Sequence, residues 1–200
     1  MKKIYLVAAA LFSMTAATFA QTQKGYYIIG GQLSNMNLDL QKNGTAFSLD
    51  VTPRVAWFIQ DNLAVGGEVL IGLNTLKGST QFNYGIGPIA RYYIAEKGMQ
   101  LMRKTNFFVD ANIGIYGQNS KSDGNPSVST NGLGVGIGPG LAYFINQNIS
   151  IEGLLKFKHT SDFGNSINVN KNSSAINLAI GFQIHLPGSK LKQMRNEVKQ

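Results

Sequence analysis

The sequence has no cysteine. Disulfide frameworks and thiolate metal sites are therefore excluded, and so is an N-terminus anchored through a lipidated cysteine. Long apolar runs are also lacking: after residue 20 none approaches the ~20 residues that a helical membrane span requires. Acidic residues are few, 10 Asp and Glu against 18 Lys and Arg, for a net charge of +8. Such a balance points to nucleic acid when cations interleave with aromatics along a groove. Here they gather instead at Lys97, Arg103 and Lys104 and in the tail at Lys190, Lys192, Arg195 and Lys199. No nucleic-acid partner is expected.

What is present begins with an export signal. Lys2 and Lys3 precede an apolar stretch, Ile4 to Phe12, and Ala17-Thr18-Phe19-Ala20 sets small residues at −3 and −1 before Gln21. Residues 1–20 are read as a Sec-type signal peptide, 21–186 as one domain and 187–200 as a basic tail. Losing Lys2 and Lys3 lowers the net charge from +8 to +6.

From Gly25 to Leu186 the chain alternates with period two in segments ended by turn residues, the mark of strands. In Ser174–Leu186 one face is Ile176, Leu178, Ile180, Phe182, Ile184 and Leu186, and the other is Ala175, Asn177, Ala179, Gly181, Gln183 and His185. A helix would scramble both faces within two turns. Six further segments alternate likewise. With Gly25–Leu33, whose phase is ambiguous, eight strands are expected.

A soluble barrel also alternates, with its apolar face inward. Composition separates the two cases. The less apolar face is crowded with Gly and Ala, which suit a narrow bore, while the apolar face carries no charge, as hydrocarbon demands. The charges on the inner face balance: Asp50, Glu68, Asp110 and Glu152 against Arg54, Arg91, Lys156 and Lys158. Pairing makes such buried ions tolerable. The expected fold is all-β: an eight-stranded antiparallel up-and-down transmembrane barrel with a filled interior. His159 and His185 then lie near opposite ends, so a two-histidine metal site is excluded and no cofactor is expected.

A repeat orients the barrel. Pro53-Arg-Val-Ala-Trp57-Phe58, Pro88-Ile-Ala-Arg-Tyr92-Tyr93 and Pro139-Gly-Leu-Ala-Tyr143-Phe144 each close an even-numbered strand. Trp57, Tyr92 and Tyr143 point outward, where an aromatic girdle belongs. Phe58, Tyr93 and Phe144 point inward as a candidate plug. The prolines cannot donate to a ladder, so bulges or bends are expected there. Tight turns follow at 60–62 and 146–148. Longer polar loops are expected at 34–45, 74–80, 118–131 and 161–173, on the extracellular side, with both termini periplasmic.

Gly-Xaa-Gly-Pro-Gly-Leu-Ala-Tyr-Phe (136–144), the Asn-Gln-Asn turn after it and the closing Ala-Ile-Gly-Phe-Gln-Ile-His-Leu (179–186) resemble the outer-membrane β-barrel domain family, the small eight-stranded barrels of OmpA/OmpX type. The resemblance implies a bacterial outer-membrane location and a monomer. Its implied partners are outer-membrane lipids and lipopolysaccharide, the barrel-assembly machinery and an extracellular partner at the loops. A structural or surface-interaction role (envelope integrity, adhesion) is expected, with a narrow pore as an alternative.

His159-Thr160-Ser161 is similar to the His-Xaa-Ser element of outer-membrane lipid A deacylases. That similarity implies a lipid-facing esterase with Ser161 as nucleophile and His159 as base. The acid that would orient the histidine is missing, since no Asp or Glu lies between Asp162 and Glu197.

Overall fold

The computed structural model describes residues 20–41, 44–94, 104–163 and 172–189. The segment read from sequence as a signal peptide (up to residue 19), segment 95–103, most of the expected loop at 161–173 and the tail beyond Ser189 lie outside the described residues. Eight strands follow in order: β1 (Tyr26–Gln41), β2 (Gly44–Gln60), β3 (Leu63–Leu76), β4 (Ser79–Ile94), β5 (Thr105–Ser122), β6 (Val128–Phe144), β7 (Ile149–Asp162) and β8 (Ser173–Pro187). Each pairs antiparallel with the next, and β8 returns to β1, closing the barrel.

Period two became this fold because the two faces meet different solvents. On β6, every second residue from Gly132 to Phe144 is buried, while Leu133, Val135, Ile137, Leu141 and Tyr143 stand exposed on the outside. The ambiguous first strand takes a definite phase: Ile28, Gln32 and Ser34 face inward and Leu33 outward. Its phase was hidden because Gly30-Gly31 carries no side chain to mark a face.

Three segments expected as long loops are largely strand. β1 runs to Gln41, β3 and β4 are joined by Lys77-Gly78 alone, and β5 continues to Ser122 before β6 starts at Val128. Gly78 sits at φ 75°, a left-handed turn conformation that suits glycine. These ladders extend past the ~9–11 residues that cross hydrocarbon. Beyond it water bathes both faces, so pairing persists without apolar alternation.

Of the bulges or bends expected at the prolines, bulges are absent. Pro53, Pro88 and Pro139 interrupt the ladders to β3, β5 and β7, yet the register on either side is unchanged. A proline that lacks its N–H opens a gap in a ladder without needing an inserted residue. Register shifts occur elsewhere, between Ser34 and Asn37 and between Phe58 and Gln60. Asn35, inside the first, has φ 52°.

At the end where β1 begins and β8 finishes, a short 3-10 turn (Ala20–Thr22) tucks against the strand mouths. Thr22 Oγ1 donates to Asn62 Oδ1 at 2.6 Å, and the Asn62 amide donates to the Thr22 carbonyl at 2.7 Å. Asn146 Oδ1 accepts from the amides of Asn148 and Ile149, which shapes the other tight turn.

Candidate functional site

The chemistry-bearing side chains converge on the bore. In-register neighbours place Arg54 opposite Glu68 and Arg91 opposite Asp110. On its other side each charge meets a small residue: Arg54 faces Gly30, Glu68 faces Gly87, Arg91 faces Ala64 and Asp110 faces Gly138. Glu152 lies between Ala142 and Gly181. These glycines and alanines make room for long side chains in a narrow cylinder.

Asp110, fully buried, is the hub. Its Oδ2 lies 2.9 Å from Arg54 Nη1 and 3.0 Å from Arg91 Nε, and its Oδ1 lies 2.5 Å from Lys156 Nζ. Arg54 also holds Glu68 at 2.6 Å, and Arg91 holds Glu152 at 2.7 Å. Three cations and three carboxylates thus cancel in one lattice. An isolated buried ion would cost several kcal/mol, so this neutrality is what lets them share a narrow, buried bore. Gln32 Oε1 accepts from Arg54 at 2.9 Å, Asn112 Oδ1 accepts from Lys156 at 3.0 Å, and the Arg91 guanidinium lies 4.0 Å over the Phe108 ring.

Six of the eight inner charges named from sequence are therefore brought together, and two are not. Asp50 accepts from Asn83 at 3.4 Å, and Lys158 has no carboxylate within ion-pair distance among the described residues.

Below the lattice, toward the termini, lies an aromatic floor. Phe58, Tyr93 and Phe144 point inward and are buried, joined by Phe108 and His185. Ring centroids stand 5.6 Å apart for Tyr93 and Phe108 and 5.0 Å apart for Phe144 and His185. Sequence reasoning left Phe108 and His185 out of the plug, although the inward parity of both was readable. Above the lattice a cavity of only about 20 Å³ separates it from a vestibule of about 380 Å³ at the hairpin end. Tyr116 lies between them, its ring against Gly85 and Gly134 and its hydroxyl accepting from Asn112.

On the outer wall, Trp57, Tyr92 and Tyr143 are all about half exposed, each within three residues of its strand's end, and Trp57 stacks on Tyr27. His159 and Ser161 both face outward, yet the hydrogen bond of His159 Nδ1 goes to Ser174 Oγ, 2.8 Å away across the β7–β8 ladder. Asp162 has the opposite parity and lines the vestibule. No carboxylate orients the imidazole among the described residues.

A closed eight-stranded barrel with an ionic bore and a greasy exterior is the setting in which the comparisons fall. The family model described as "Outer membrane protein beta-barrel domain" matches residues 6–182. The chain belongs to this family. Its membership gives the outer-membrane location and the transmembrane barrel. Among solved structures, the outer-membrane barrel resembles Neisserial surface protein A (NspA), with a TM-score of 0.57 and 13% identity over 82% of this chain and 97% of that one. The N-terminal β-barrel domain of Pseudomonas aeruginosa OprF gives 0.47 at 15% identity, over 80% and 98%. The outer membrane enzyme PagL gives 0.43 at 17%, over 78% and 96%. Likeness at such identities is likeness of fold. No curated protein matches the chain by sequence.

Proposed function

We propose that this outer-membrane barrel is a closed, monomeric wall element of the envelope that works through its outer surface, in a structural or adhesive role. The observation that carries this reading is the bore. The charge lattice around Asp110 and the aromatic floor of Phe58, Tyr93, Phe108 and Phe144 stand in series across it. In this reading residues 1–20 are removed on Sec export, residues 21–186 form the barrel and the basic tail after it stays in the periplasm. The barrel-assembly machinery inserts the chain. Trp57, Tyr92 and Tyr143 form the girdle at the periplasmic interface, and the strand hairpins project outside to meet lipopolysaccharide or a partner.

Planar-bilayer recording of the refolded protein tests the closed bore. No steady ohmic current is expected, and a stable pore conductance would make it a channel instead. The esterase reading has a separate test. Purified protein incubated with lipid A is expected to release no acyl chain, and release abolished by Ser161→Ala would establish the enzyme.

A further inference from the structure

We infer that the vestibule at the hairpin end is a binding site for a sugar acid, one hexose-sized ring carrying a single carboxylate. The inference goes beyond the structural role proposed above and rests on it only for the vestibule opening outward. The cavity, about 380 Å³, falls within the ~300–1,000 Å³ range of small-ligand sites. It ends blind at Tyr116, below which the bore narrows to about 20 Å³. A ligand entering it stops there rather than passing through.

The chemistry of the walls selects the ligand. Lys158, contributed by β7, lines the vestibule and is, among the described residues, the one inner cation outside the Asp110 lattice. Glu68 and Asp50 act on this ammonium through space, but neither closes to ion-pair distance, so its N–H donors remain available to an anion. Gln118, Thr130, Thr160 and Ser173 supply hydroxyls and an amide that both donate and accept, which matches a ring of hydroxyls rather than an apolar guest. Asp162 stands four residues beyond Lys158 on the same face, about 13 Å along the strand. Its carboxylate accepts from ligand hydroxyls and repels a second negative charge. One cation at depth and one carboxylate toward the mouth therefore favour a monoanion over a dianionic phosphate.

The same chemistry reaches the cell surface as a free sugar acid or as the terminal residue of an acidic polysaccharide. The experiment carries both arms. Folded full-length protein in detergent micelles is titrated with glucuronate, with an oligosaccharide ending in glucuronate and with glucose, following amide resonances around Tyr116, Gly134 and Thr160 by NMR. Saturable shifts with at least one glucuronate form are expected. Glucose should bind at least ~10-fold more weakly, the difference of one charge-assisted contact. Lys158→Met should weaken glucuronate binding by a similar factor and Lys158→Arg should retain it. Thr160→Trp, which fills the cavity without changing its charge, should abolish binding while leaving the heat-modifiable gel shift of the folded barrel intact. Absence of saturable shifts with both glucuronate forms would overturn the inference. Binding unaffected by Lys158→Met, or equal for glucose and glucuronate, would overturn it as well.

Discussion

Asp110 shows how a single carboxylate governs the interior. Among the described residues it is the only acid touching three cations, so its removal leaves Arg54, Arg91 and Lys156 against Glu68 and Glu152. Asp110→Ala should therefore destabilise the barrel by about 3–5 kcal/mol, the cost of stranding a buried charge. Urea unfolding in lipid vesicles followed by Trp57 fluorescence measures it, and a loss under about 1 kcal/mol would show that the lattice relaxes or hydrates freely. Glycines give a paired test. A Cβ on inward Gly138 would collide with the Leu155 carbonyl and the Lys156 backbone, whereas one on outward Gly153 would meet nothing within 4 Å. Gly138→Val should fail to fold or lose several kcal/mol. Gly153→Val should be neutral or mildly stabilising, because it adds a strand-favouring side chain facing lipid. Parity alone told which charges face inward. Height along the bore was not readable, so Asp50 and Lys158 looked equivalent to the six lattice members. The 56-residue reach from Arg54 to Asp110 depends on registers that no local pattern records.

At the scale of strands, the membrane-crossing parts were readable because two solvents impose two faces, and the extensions were not because water imposes none. The same difference marks the seam between β1 and β8. Their pairing ends at Ser34 and Ala179, although β1 continues to Gln41 and β8 begins at Ser173. Past that point each strand has a ladder on one side only among the described residues. Ile176 and Leu178, at 71% and 67%, are among the most exposed apolar residues of the wall. Backbone amides without a cross-strand acceptor open at little cost. Hydrogen exchange of the folded barrel in micelles should therefore show alternate amides of residues 173–178 exchanging well ahead of those in 179–186. Uniform protection along β8 would mean that the seam is closed in solution.

For the whole molecule, closure of the sheet turns local alternation into a sealed cylinder, and the repeated Pro-x-x-x-aromatic-aromatic element stacks its inward rings at one end. Two barriers of different chemistry then lie in series. The ion lattice repels an ion through desolvation and fixed charge, whereas Phe58, Tyr93, Phe108 and Phe144 exclude water by filling the bore. Removing one should leave the other intact. Arg91→Ala releases Glu152 and loosens Asp110, yet the rings beneath remain packed, so bilayer recordings should stay silent. Tyr93→Ala with Phe108→Ala opens the floor but leaves Arg54, Lys156 and their carboxylates across the bore, and should be silent too. Only the triple variant, Arg91→Ala with Tyr93→Ala and Phe108→Ala, should conduct steadily, and its current should favour cations, since Glu152 loses its partner. Conduction by Arg91→Ala alone would show that the aromatic floor is no barrier and that the salt bridges hold the barrel shut by themselves.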